Sequence, residues 1–284
     1  ESAECQVGAW KQEYQAHGST PWRLRLVFDT AKIESMSESQ IRAVFFDFGG
    51  TLFSYRDFVG QQLSPAYWTS VLRLGTEISP RDASRLYWKA SNRCFIDYAK
   101  RPYYLHRDLF RDTLTHFCEL IEVAPNSEFI DTALERQRRF MIDNFTLRAD
   151  CLSTLQKLRS AGLTLSIVSN IDDDYLDEMI ARSGLDEVLH HWSSSEEAQS
   201  CKPDRRFFEY ANQKAGVKSD EVLFVGDSPH HDIDGAHAMG MTTVLIQDAH
   251  TPASPAKNEP HHLIQELSEL VAIAGVEDGH GRRE

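Results

Sequence analysis

Cysteine is scarce and none of it is paired in sequence. The five thiols among 284 residues, Cys5, Cys94, Cys118, Cys151 and Cys201, are odd in number, far apart and without a CxxC pair. That excludes a disulfide framework and a cysteine-built zinc site, and it suits the reduced, mostly buried thiols of a cytoplasmic protein. Long apolar runs are missing too: none reaches the roughly 18 residues that a membrane helix needs. No secretory leader is expected in residues 1–35, which lack a continuous apolar segment. Basic residues are in deficit, with 30 Lys plus Arg against 43 Asp plus Glu and a net charge of −13. Nucleic acids and anionic membranes require a basic face, so neither is an expected partner. What remains, 41% hydrophobic and 26% charged residues, is enough to build a packed core.

Ala43-Val44-Phe45-Phe46 is an unbroken apolar run that stops at Asp47-Phe48-Gly49-Gly50-Thr51. A run without alternation, halted by glycines, predicts a strand buried on both faces of a parallel sheet. The pattern returns at Leu163 to Val168, ending at Ser169-Asn170, and at Val222 to Val225, ending at Gly226-Asp227-Ser228. It returns again at Thr242 to Ile246, near Asp248. The first three strands deliver polar residues at the C-terminal edge, where open α/β sheets bind ligands. Helical patterns separate them: Leu152 to Ser160, Tyr175 to Ser183, Arg205 to Ala215, Asp232 to Met239 and Ile264 to Ala274. His190, His191 and Trp192 read as the close of a further strand, and His261-His262 as surface residues. This alternation predicts an α/β fold, a Rossmann-like doubly wound parallel sheet.

Residues 55–145 break the alternation. They read as helices over 61–74, 80–99, 104–122 and 127–145, with Ser79-Pro80-Arg81-Asp82 as a capped start. Their net charge is +1, against −12 for residues 146–284. The expected organisation is a core of residues 36–54 and 146–274 with an all-helical module, 55–145, inserted after the first strand. Residues 1–35 are expected to be an N-terminal extension and 275–284 a frayed tail.

The strand ends would gather Asp47, Asp227 and Asp232 in one crevice. Three carboxylates repel one another unless a cation compensates, and Mg²⁺ takes oxygen ligands of this kind together with water and substrate phosphate. Lys202 and the Ser169 hydroxyl add a positive charge and a donor, the complement of a phosphoryl group. A carboxylate can itself attack phosphorus to form an aspartyl-phosphate. Taken singly these residues have plainer readings: Lys202-Pro203 as a surface turn, Asp232 as an N-cap, Asp172-Asp173-Asp174 as a solvated helix start.

Taken in order, Asp47-Phe48-Gly49-Gly50-Thr51-Leu52, Ser169-Asn170, Lys202-Pro203, and Gly226-Asp227-Ser228 with Asp232 resemble the four motifs of the haloacid dehalogenase (HAD) superfamily. The separations are 122, 33 and 25 residues, and the resemblance covers residues 42–274. Ser194 through Asp204 resembles the phosphatase-type subgroup. The resemblance implies a HAD core with a C1 helical cap at 55–145. It also implies Mg²⁺-dependent hydrolysis of a small phosphorylated metabolite through phospho-Asp47, by a monomer or homodimer. By position, Asp47 would be the nucleophile, and Lys202 would steady it and the transferring group. Ser169 would hold a phosphate oxygen, with Asn170, Gly50, Thr51 and Lys202 around the phosphate, Asn170 shaping the loop rather than touching substrate. Asp47, the Gly49 carbonyl, Asp227 and Asp232 would hold the metal. Dehalogenases of the superfamily need no metal and depart from the paired acids of the fourth motif, so Asp227 and Asp232 favour phosphoryl transfer over carbon–halogen cleavage.

One departure matters. Phosphatases of the superfamily usually carry a second Asp two positions after the nucleophile, where it protonates the leaving oxygen; here the residue is Gly49. General acid catalysis contributes about 10²–10⁴-fold. Its loss leaves three outcomes. Either the substrate carries a good leaving group, or His230, His231 or a residue of the aromatic, cationic cap replaces the acid, or the chain is a weak or silent HAD-fold binding protein. The last ranks below the other two.

Overall fold

Ala43–Phe46 forms β1, the strand to which the other parts of the sheet attach. The computed structural model describes residues 40–54, 78–124, 126–247 and 257–276, all within one compact unit, Ser39–Glu284. Expectations for residues 1–35, for a helix over 61–74 and for the end of the tail lie outside the described residues. The sheet comprises β1, β2 (Thr164–Ser169), β3 (His191–Ser194), β4 (Val222–Gly226), β5 (Thr242–Ile246) and β6 (His262–Ile264). Their order is β3-β2-β1-β4-β5-β6, and every pairing is parallel. After β1 the chain builds β2 and β3 on one side, then returns to build β4, β5 and β6 on the other. Strand order therefore reverses between β1 and β4, which opens a crevice at their carboxyl ends.

Register makes that crevice narrow. Phe46 of β1 pairs with Ile167 of β2 and with Val225 of β4, so the residues just beyond β1 and β4 emerge side by side. The side chains of β1 alternate between two cores, as strand geometry requires. Val44 and Phe46 pack with Leu155 and Leu158 of α4 (Cys151–Ser160) and with Leu176 and Met179 of α5 (Asp173–Ser183). Ala43 and Phe45 pack with Phe207, Phe208 and Ala211 of α7 (Arg205–Ala215). All four β1 side chains are fully buried.

Between β1 and β2 lie α1 (Pro80–Tyr98), α2 (His106–Leu120) and α3 (Ser127–Asn144). They enclose a small core of their own that includes Ala90, Leu114, Phe117 and Ile130. Ser79 caps α1 by accepting the Asp82 N–H at 3.1 Å, and Asn126 caps α3 through the Phe129 N–H at 2.8 Å. Beyond the sheet's first half come α6 (Ser195–Ala198), a π-helical turn (Pro229–Asp234), α8 (Gly235–Ala238) and α9 (Leu270–Ile273). None of the described helices is long and apolar enough to cross a membrane.

Three expectations need correction. His191 and Trp192 open β3 rather than close it, because the Leu165 N–H donates to His190 Nδ1 just before the strand begins. The helix expected at Ile264–Ala274 is split: His262–Ile264 joins the sheet as β6 and only Leu270–Ile273 is α-helical. The helix expected from Asp232 starts earlier, at Pro229, and its N-cap is Ser228 rather than Asp232.

Because β1 feeds both cores, its truncation should be felt throughout. Phe45→Ala should lower unfolding free energy by about 3–5 kcal/mol, measured by urea denaturation. A loss below about 1 kcal/mol would contradict a β1-centred core.

Candidate active site

The end of β1 carries Asp47, whose main-chain N–H donates to Val225 O of β4 at 2.8 Å. That bond ties the carboxylate to the crevice between the two strands. Asp47 Oδ1 accepts from Ser169 Oγ at 2.9 Å and from Lys202 Nζ at 2.8 Å, and Oδ2 faces Thr51 Oγ1 at 3.3 Å. Lys202 also reaches Asp232 Oδ1 at 2.6 Å, and the second oxygen of Asp232 accepts the Ser228 N–H at 2.9 Å. Asp47, Ser169, Lys202 and Asp232 are all buried. Residues 155 apart in sequence thus share one hydrogen-bonded group.

Two glycines leave room for this crowding. Gly50 has φ +86°, and a Cβ there would lie 2.1 Å from Asp227 Oδ2. A Cβ on Gly226 would lie 2.3 Å from the Asp232 carboxyl carbon. Gly49, which follows Phe48 in the same turn, is not among the positive-φ glycines. Asn170 shapes the loop: its amide donates to Lys202 O at 3.0 Å and accepts the Lys202 N–H at 2.7 Å. It therefore fixes the backbone that carries the amine.

The cluster is electrostatically tense. Asp47, Asp227 and Asp232 offer carboxylate oxygens that all lie within 4.8 Å of one another. Burial, then the neighbouring Asp47 and Asp232 charges, push the Asp227 carboxyl well above its ordinary value. Burial likewise raises Asp232, to about 6, although Lys202 opposes the shift. Burial works against the charged amine of Lys202, but Asp232 and Asp47 outweigh it and hold the amine above its usual range. Three acids against one amine leave a negative excess that a divalent cation with oxygen ligands would relieve. The donor set fits such an ion.

A family profile described as haloacid dehalogenase-like hydrolase matches residues 41–240. The chain belongs to that family. Among curated relatives, (S)-2-haloacid dehalogenase 4A of Burkholderia cepacia is 36% identical over 121 residues, 43% of this chain and 52% of the relative. The match thus spans about half of that relative. Glyceraldehyde 3-phosphate phosphatase of Methanocaldococcus jannaschii is 24% identical over 82% of this chain and 96% of the relative. A crystal structure of a HAD phosphatase from Thermococcus onnurineus superposes with a TM-score of 0.59 at 26% identity, covering 84% of this chain and 99% of that one. The relatives of this HAD-like hydrolase divide between two chemistries.

Several residues around the site escaped sequence reasoning. Arg148 donates from Nε to Thr51 O at 2.8 Å and from Nη2 to Gly50 O at 2.7 Å, so it braces the turn after Asp47. Asp172 is fully buried, not solvated, because its carboxylate accepts the His106 and Arg107 N–H groups at 2.7 and 2.8 Å. Burial opposes its ionisation, yet the hydrogen bonds from His106 and Arg107 prevail and hold the carboxyl below its ordinary value. Arg107 in turn pairs with Glu196. Asp172, Asp174 and Glu196 also lie close together, but the backbone amides of α2 and the Arg107 guanidinium already occupy Asp172 and Glu196. Of the two histidines weighed as acids, His230 is exposed and lies 3.7 Å from Asp234. Burial, with the Lys202 charge, pushes His231 down to about 4.

The raised carboxyls of this HAD-like hydrolase give cation binding a defined pH dependence. A proton on Asp232 blocks a ligand oxygen, so a cation competes with protons up to about pH 6. Mg²⁺ should raise Tm at pH 7.5 and progressively less as pH falls below 6. An equal Tm shift at pH 5 and pH 7.5 would show that these carboxylates do not hold the ion.

Proposed function

We propose that the chain is a Mg²⁺-dependent phosphohydrolase that cleaves a small phosphorylated metabolite through phospho-Asp47. The observation that carries this reading is the cluster of Asp47, Asp227 and Asp232, the first and last buried and paired with Lys202. A phosphate monoester brings two negative charges and needs dense cationic compensation in its transition state. A 2-haloacid brings one charge and a halide that leaves without a proton, so it has no use for three acids around a cation site. A Mg²⁺ ion held by Asp47, Asp227, Asp232 and the Gly49 carbonyl would neutralise the carboxylates and polarise the phosphoryl oxygens.

The chain's own residues do the remaining work. Lys202 and Ser169 hold the Asp47 carboxylate in one orientation, so that it meets phosphorus without having to find its rotamer. Once the carboxylate has become an acyl phosphate, both donors turn to the phosphoryl oxygens. Asn170 and Arg148 keep the Lys202 backbone and the Gly50–Thr51 turn in place during the exchange. The helices of residues 78–144 act as a cap that excludes bulk water while the phosphoryl group is bound. A reduced cytoplasmic setting suits the free thiols at Cys94, Cys118, Cys151 and Cys201.

The dehalogenases among the relatives favour a second reading, cleavage of 2-haloacids at Asp47. One experiment separates the two. Wild-type protein should release phosphate from p-nitrophenyl phosphate only with Mg²⁺, and Asp47→Asn should reduce that rate by at least about 10³-fold with the circular dichroism spectrum unchanged. Full activity in Asp47→Asn would sink the proposed nucleophile. Metal-independent chloride release from 2-chloropropionate, with no phosphate release, would establish the dehalogenase reading instead.

A further inference from the structure

A phosphatase with Gly49 after its nucleophile must find the leaving group's proton elsewhere, and the structure fastens one imidazole-bearing segment to the loop that follows Ser169. His106 opens α2. Its main-chain N–H donates to Asp172 Oδ1 at 2.7 Å, and its ring Nδ1 lies 3.7 Å from the same oxygen, an ion pair when the ring is protonated. Nδ1 is buried and has no hydrogen-bond partner. The ring sits between Tyr104 and Phe110, at centroid distances of 5.2 and 6.1 Å, with the side chain 19% exposed.

The segment that carries His106 is fastened to both loops of the site. Asp172 follows Ser169 by three residues, and the Ser169 hydroxyl is 2.9 Å from Asp47. On the other side the Cys201 N–H, one residue before Lys202, donates to Pro102 O at 2.9 Å. Residues 102–107 therefore span the interval between the phosphate-holding hydroxyl and the catalytic amine. The rival donors are less suited. Lys202 serves two carboxylates, the Tyr98 hydroxyl donates to Asp112 at 2.6 Å, and burial beside the Lys202 charge pushes His231 down to about 4, which leaves it no imidazolium proton at neutral pH.

We propose that His106 protonates the leaving oxygen in place of the acid absent at Gly49, with Asp172 as the positioning residue behind its ring. This rests on the phosphohydrolase reading above. As Asp47 attacks, the phosphorus–oxygen ester bond breaks and its electron pair passes to the leaving oxygen. That oxygen takes the proton from the His106 imidazolium and departs as an alcohol. The neutral ring then accepts a proton from the water that attacks phospho-Asp47, which releases inorganic phosphate and restores the imidazolium. A carboxylate behind one ring nitrogen fixes the ring and leaves the other to exchange the proton, the arrangement that histidine acid–base catalysis favours.

The test reads leaving-group dependence. p-Nitrophenolate leaves without a proton, whereas the alkoxide of β-glycerophosphate does not. His106→Gln should lower the ratio of β-glycerophosphate to p-nitrophenyl phosphate turnover by roughly 100-fold. Adding Gly49→Asp to that variant should restore the ratio. A His106→Gln variant that loses both activities in proportion would assign His106 a structural role and overturn the proposal. So would a wild-type protein that hydrolyses the aryl but not the alkyl ester. A wild type that hydrolyses neither with Mg²⁺ would remove the phosphohydrolase reading itself.

Discussion

Mutual repulsion among three clustered carboxylates, two buried and Asp227 half-buried, held in check by one amine, is the constraint on which this structure depends. Lys202 is shared between Asp47 and Asp232 at 2.8 and 2.6 Å, and burying such a group is costly unless each charge is partnered. The fold answers with rigidity. Asp47 and Asp227 are delivered just beyond fully buried strands and Asp232 on the π-helical turn that follows, and the Lys202 backbone is clamped by Asn170. Gly50 and Gly226 appear where any side chain would collide with an acid. The strain that remains, visible in the raised Asp227 and Asp232 carboxyls, is what would make the cluster, in the proposed chemistry, a receptor for a cation and for phosphate.

The helical insertion depends on the same centre. Among the described residues it docks through directed polar contacts, Asp172 on the first turn of α2, Arg107 on Glu196, Arg138 and Arg139 on Glu178, beside apolar ones at Ile142 and Phe110. Charged and hydrogen-bonded contacts of this kind exchange with water more readily than a packed core does, which suits an element that must admit substrate and release product. Asp172 lies only three residues from Ser169, so the position of the insertion and the geometry of the Ser169 loop are mechanically linked.

Much of this was legible in the residues. β1, β2, β4 and β5 are continuous apolar runs, and such runs have few other structural outcomes; their polar terminators, Asp47, Ser169 and Asp227, had to meet at one sheet edge. Lys202 and Asp232 joined them because motif order is informative where each motif alone is weak. What stayed hidden was non-local. β6 is three residues long with His262 and Leu263 exposed, so it has no hydrophobic signature and exists only by pairing with β5. The Asp172 acid run has the composition of a solvated helix start, and its burial follows only from the arrival of α2. Arg148 and His106 act through backbone atoms or distant partners, which periodicity does not report.

The most direct test is to identify what becomes attached to Asp47. The protein would be quenched in acid during turnover, once with Mg²⁺ and p-nitrophenyl phosphate and once with 2-chloropropionate, and its peptides weighed by mass spectrometry. A phosphoryl group on the peptide containing Asp47 in the first reaction, with no adduct in the second, is the predicted result. A carboxyalkyl ester on Asp47 in the second reaction, with no phosphoryl group in the first, would contradict the account.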